Sequence, residues 1–131
     1  MPSNPAKPQF LETSQGLSIH YTDHHATGSE QGTLVFIHGS GPGASGWSNF
    51  KHNIAAFQTA GYRCVVYDQW GYGQTDKPTD IDHTLEFFVD GLVALLDALG
   101  LHGVTLVGNS LGGAVALGLA LKHPERVQKL I

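Results

Sequence analysis

Three short runs constrain this chain more than anything else in it: TLVFIH (33–38), YRCVVY (62–67) and GVTLVG (103–108). Each is almost wholly apolar, the mark of a strand covered on both faces. Each leads into a glycine- or turn-rich loop and then into apolar residues at helical spacing. Buried strands alternating with helices require right-handed crossovers onto a mostly parallel sheet. The predicted fold class is therefore α/β, a mostly parallel sheet with flanking helices.

The helices are readable from their periodicity. Trp47, Phe50, Ile54 and Phe57 predict one helix, ended by Gly61. Leu85, Phe88, Val89, Leu92, Leu95, Leu96 and Leu99 mark one face of a second, with Thr84 or Asp82 able to cap it and Gly100 closing it. The segment Leu111–Lys122 is apolar nearly all round and is expected to lie deep against the sheet, with Pro124 just past its end. Upstream, LSIHYT (17–22) alternates like a half-buried strand, DHHATGSEQG reads as a solvated loop, and RVQKLI begins another strand. The predicted order is β-β-α-β-α-β-α-β. Residues 1–8 carry three prolines and read as a flexible arm, leaving 9–131 as part of a single core domain.

Composition removes several classes of function. Of 131 residues 41% are hydrophobic and 14% charged, enough apolar material for a core. The net charge is −4 and the seven Lys and Arg are scattered, which argues against a nucleic-acid partner. Cys64 is the only cysteine, so no internal disulfide forms and a reducing, cytoplasmic setting is expected. The opening MPSNPAKPQF lacks the features of a signal peptide, and no apolar run reaches the ~18 residues of a membrane span. The partner expected is a small-molecule substrate, with no membrane and no nucleic acid.

The third run ends in Gly108-Asn109-Ser110-Leu111-Gly112, a G-x-S-x-G sequence between a strand and a small-residue helix. A nucleophile on so sharp a turn takes a strained backbone and projects its hydroxyl clear of the sheet. Small residues two before and two after are needed where backbones approach too closely for a Cβ. The helix that begins here offers free N–H groups, and the Leu111 amide is placed to face an oxyanion.

The loop after the first run poses a rival. Gly41-Pro42-Gly43-Ala44-Ser45-Gly46 matches G-x-G-x-x-G, and Asp68 ends the next strand about 20 residues later, as a dinucleotide fold asks. Yet His38-Gly39-Ser40 separates strand from fingerprint, and Pro42 has no N–H in a loop meant to donate them to phosphate. A Walker A loop fails because Trp47, not lysine, follows Gly46. The better role is the second half of an oxyanion hole, with the donor on Ser40 or Gly41. No cofactor is called for.

In order along the chain stand His38-Gly39-Ser40-Gly41-Pro42-Gly43-Ala44, Trp47-Ser48-Asn49-Phe50, Asp68-Gln69-Trp70-Gly71-Tyr72-Gly73 and Gly108-Asn109-Ser110-Leu111-Gly112-Gly113. With these the chain resembles an α/β-hydrolase, and within that superfamily the meta-cleavage product hydrolases. Those enzymes cleave a carbon–carbon bond in substrates such as 2-hydroxy-6-oxo-dienoates, in aromatic catabolism; a carboxylesterase of the same fold is the nearest alternative, and a non-catalytic hydrolase-like fragment is another. The resemblance implies Ser110 as nucleophile, the Ser40 and Leu111 amides as oxyanion hole, and Asn109, Gly41 and the Ser40 side chain lining the substrate pocket. Trp70 and Thr75 depart from the family's usual residues.

A serine hydroxyl needs a base, and in this fold the order is Ser, then Asp or Glu, then His. After Ser110 come only His123 and Glu125, in the wrong order, within KHPERV, which reads as a helix end. His38 reads as stiffening the oxyanion loop and Asp68 as a hydrogen-bonding group in the sheet crevice. His20, His24, His25, His52, His83 and His102 show no metal-ligand spacing, so no metal site is expected. Family members continue with a lid and further strands that carry the acid and base. The chain is thus expected to be the amino-terminal half of a hydrolase core, inactive alone and, with an unpaired sheet edge, prone to form a homo-oligomer.

Overall fold

A computed structural model describes residues 7–131, so most of the expected arm (residues 1–6) lies outside the described residues. Six strands form one mixed sheet in the order β1-β2-β4-β3-β5-β6. The strands are β1 (Gln9–Glu12), β2 (Ser18–His24), β3 (Gly32–Ile37), β4 (Tyr62–Tyr67), β5 (Val104–Gly108) and β6 (Val127–Leu130). The β4-β3-β5-β6 part is parallel, while β1 and β2 join antiparallel at one edge.

Side chains alternate across the sheet, so each buried run feeds two cores. Val35 and Ile37 of β3 and Val65 and Tyr67 of β4 face one side, where they meet Leu92, Leu95 and Leu96 of α3 (Leu85–Leu99) and Val115 and Leu119 of α4 (Leu111–Lys122). Leu34, Phe36, Cys64 and Val66 face the other, against Phe50 of α1 (Gly46–Phe50) and Ile54 of α2 (Ile54–Thr59). This two-sided cover explains why the three runs are almost wholly apolar. The α3 boundaries follow the sequence closely. The Thr84 hydroxyl accepts from the Phe87 amide, and Gly100 closes the helix in the left-handed region at φ 65°.

Four expectations need correction. The strand β1 has no alternation to announce it: of QFLE only Leu11 is half-buried, and pairing with β2 alone defines it. The helix expected over Trp47–Phe57 is broken by a turn at Lys51-His52-Asn53, and Trp47 is 45% exposed instead of packed inside. Helix α4 buries only Gly112, Val115, Ala116 and Leu119, whereas Leu117 and Leu121 stand 52% and 78% exposed. A sheet covers one stripe of a helix, however apolar the rest. His24 does not sit in a solvated loop: β2 runs through it, and its ring is buried and stacked on Trp47 at 5.7 Å.

Candidate active site

Ser110 is the only non-glycine with positive φ among the described residues, at φ 57° and ψ −113°. It stands between β5 and α4, exposed, at the carboxyl edge of the parallel strands. Its neighbours explain the spacing of the motif. A Cβ on Gly108 would lie 2.4 Å from the Gly112 carbonyl oxygen, and one on Gly112 would lie 1.9 Å from that of Ile37. Both obstacles are backbone, so only glycine fits. The Asn109 amide donates to the Ile37 carbonyl at 3.0 Å, pinning the turn to the end of β3.

That pinning brings the two predicted loops together. A cavity of about 580 Å³ is lined by Gly39, Ser40, Gly41, Asn49, Asn109 and Ser110, among others. Four of the five predicted site residues thus share one space. The fifth, Leu111, does not line it with its side chain, and its role rests on its amide. Neither the Leu111 nor the Ser40 amide donates a hydrogen bond among the described residues. The first is a free N–H at a helix start.

Sequence reasoning gave Asn49 no role, yet it joins the loops. Its Oδ1 accepts from the Gly39 amide at 2.9 Å and from the Asn109 side-chain amide at 2.8 Å. The signal was available: a polar residue one position before buried Phe50 on a short helix must face something polar. Replacing Asn49 with Ala leaves the Gly39 amide unpaired, at an expected stability cost of about 1–3 kcal/mol. Hydrogen exchange at the Gly39 amide, faster in the variant, is the measurement that checks it.

His38 is fully buried beneath the same loop and stiffens it, as expected. Its Nε2 accepts from the Gln69 amide at 3.0 Å, so its Nδ1 carries the proton and donates to the Gly39 carbonyl at 2.7 Å. Burial pulls its pKa below the usual histidine range, and the imidazole is neutral. Asp68 is also buried, but it turns away from Ser110. Its carboxylate accepts from the Gly46 amide at 2.8 Å, the Gln74 amide at 3.0 Å and His20 Nδ1 at 2.9 Å. It holds the start of α1 against the following loop and supplies no acid to a histidine beside Ser110. His123 caps the end of α4, with Glu125 3.6 Å away, and neither lines the cavity.

A strained serine between a parallel strand and a helix, facing a glycine loop from the neighbouring strand, is a hydrolase arrangement. A family model described as the alpha/beta hydrolase fold matches residues 32–131. The chain belongs to that family.

A 2-hydroxy-6-oxononadienedioate/2-hydroxy-6-oxononatrienedioate hydrolase from Paraburkholderia phymatum is 46% identical over 92% of this chain and 41% of its own length. A 2-hydroxy-6-oxo-6-phenylhexa-2,4-dienoate hydrolase from Comamonas testosteroni is 40% identical over 94% and 43%. Among solved structures, a meta-cleavage product hydrolase from Pseudomonas fluorescens complexed with acetates superposes with a TM-score of 0.84 at 32% identity, covering 93% of this chain and 43% of that one. An epoxide hydrolase from Vigna radiata superposes with a TM-score of 0.85 at 30% identity, covering 99% and 38%. The chain spans about two fifths of the length of the curated relatives it matches. No helix among the described residues is long and apolar enough to cross a membrane.

Proposed function

We propose that this hydrolase-fold chain carries the nucleophile half of a serine-dependent carbon–carbon bond hydrolase acting on a 2-hydroxy-6-oxo-dienoate. The observation that carries the reading is Ser110: the one non-glycine of positive φ among the described residues lines the cavity, a strain that costs stability. The similarity to hydrolases of dienoates supports the substrate class. The lone buried Cys64 suits a cytoplasmic enzyme.

In this reading the Ser110 Oγ bonds to the 6-oxo carbon of the substrate, and the carbonyl electron pair moves onto its oxygen. That oxyanion accepts from the Ser40 and Leu111 amides, each such donor being worth roughly 3–4 kcal/mol in the transition state. Reforming the carbonyl breaks the bond between carbons 5 and 6 of the substrate's 2-oxo tautomer; the bond pair delocalises onto the 2-oxo oxygen, which takes up the proton lost by Ser110, and the dienoate fragment leaves. Water then cleaves the acyl–Ser110 ester. Asn109, held by Asn49, and Gly41 line the space where the substrate lies. The proton of Ser110 needs a base, and no histidine among the described residues lines the cavity.

A fluorophosphonate probe, with imidazole added as an external base, tests the reading directly. The expected result is one covalent increment, mapped to Ser110 and absent in Ser110→Ala. Increments elsewhere, or none at all, would sink it. The 131-residue chain alone is expected to turn over a chromophoric dienoate only weakly, since an oxyanion hole without its triad retains residual catalysis. His123→Ala should leave that rate unchanged. A normal enzymatic rate lost in this variant would make His123 the base.

A further inference from the structure

The short helix α1 separates two cavities. Ser48 and Asn49 line the one at Ser110, and Trp47 lines another, of about 510 Å³, between α1 and β2. Its other walls come from His20, Thr22 and His24, with Lys7 at its rim. Three features of this second cavity have no part in the proposed chemistry.

First, Trp47 is large, apolar and 45% exposed, and its ring lies nearly parallel to that of His24, at 12°. Trp47, backed by the His24 ring stacked on it, gives the cavity a flat apolar wall. Second, burial lowers the His24 pKa, and among the described residues lining the cavity Lys7 is the one lysine or arginine. Third, His20 is nine-tenths buried, with Nδ1 fixed by Asp68 at 2.9 Å and Nε2 without a hydrogen-bond partner among the described residues.

We propose that this cavity is a second binding site, for a small planar aromatic carboxylate. The ring stacks on Trp47, and the carboxylate faces the Lys7 ammonium. The position of the site gives it a route to the first. Trp47 follows Gly46, whose amide Asp68 holds, and precedes Asn49 by two residues. A Cβ on Gly46 would lie 2.4 Å from the Tyr67 carbonyl oxygen, so the start of α1 is packed rigidly on β4.

Benzoate is the probe, followed through Trp47 emission and the His24 ring-proton resonances; Trp70, only 2% exposed, is the silent indole. Saturable binding is expected, several-fold tighter than that of benzyl alcohol, which lacks the charge, or cyclohexanecarboxylate, which lacks the flat ring. Trp47→Leu should abolish it and Trp47→Phe should keep it. Lys7→Met should weaken benzoate several-fold and leave benzyl alcohol unchanged. Ser110→Ala should leave benzoate binding intact, which separates this site from the reading of Ser110. A non-saturating response overturns the proposal, as does equal binding of all three compounds. Binding that survives Trp47→Leu but vanishes in Asn109→Ala places benzoate at Ser110 and overturns it too.

Discussion

Gly112→Ala is expected to destabilise the protein by about 3 kcal/mol or more, the upper range of overpacking costs. The added methyl would lie 1.9 Å from the Ile37 carbonyl oxygen, 2.6 Å from its carbon and 2.9 Å from the His38 carbonyl oxygen. None of these is the tip of a side chain that could swing aside. They belong to the end of β3, and relieving them means parting α4 from the sheet or moving the loop that carries Ser40. Helix propensity works the other way, favouring Ala by up to about 1 kcal/mol, so the observed loss is net of that gain. The adjacent Gly113→Ala is the control. Its Cβ would meet nothing closer than the Gly108 carbonyl oxygen at 3.8 Å, an ordinary contact. Its stability should stay level or rise by a few tenths of a kcal/mol. Thermal melts of the two variants decide the matter: a drop of about 10 °C or more is expected for Gly112→Ala and none for Gly113→Ala. Equal melting of the two would mean that the elbow is not packed as described.

Ser110→Gly should do two opposite things at once. It removes the hydroxyl, so labelling by the fluorophosphonate is lost altogether. It also relieves a backbone that side-chain-bearing residues avoid, at φ 57° and ψ −113°. Strain of this kind costs on the order of 1–3 kcal/mol. Glycine gives back roughly 0.5–1 kcal/mol through the greater freedom of the unfolded chain. The net expectation is a gain of about 1 kcal/mol over the parent. Ser110→Ala keeps the strain and loses the hydroxyl, so it should melt near the parent and be equally unreactive. Denaturant titration of the three proteins separates strain from chemistry. A Gly variant no more stable than the Ala variant would show that the turn carries no strain, and the case for a nucleophile elbow would weaken with it.

Local sterics and periodicity made much of this molecule legible in advance. TLVFIH, YRCVVY and GVTLVG announced buried strands because residues on both faces had to be apolar, and two cores meet them there. Thr84 and Gly100 marked the ends of α3 because capping and left-handed closure involve residues only a few positions apart. Gly108, Ser110 and Gly112 announced the elbow because its strain is local, and Ser110 carries the expected backbone. The meeting of that elbow with the Gly39–Gly41 loop followed once parallel neighbours were assumed.

Contacts far apart in sequence decided the rest. QFLE is a strand only because Tyr21 and its neighbours present an edge to it. Asn49 matters because two amides converge on its one oxygen, Gly39 from 10 residues before it and Asn109 from 60 residues after it. Asp68 reads only as a hydrogen-bonding group in the sheet crevice, and its partners there, His20, Gly46 and Gln74, come from three separate segments. His24 became a buried stacking partner of Trp47, and Leu117 and Leu121 were left in water, because a helix or strand has more than one face and its neighbours choose which to cover. Where the chain turns, stiffens and strains is written in the order of its residues, because those are properties of a few neighbours along the chain. Which polar atoms pair and which apolar faces are buried follows from folding, because each needs a partner that adjacent residues do not name.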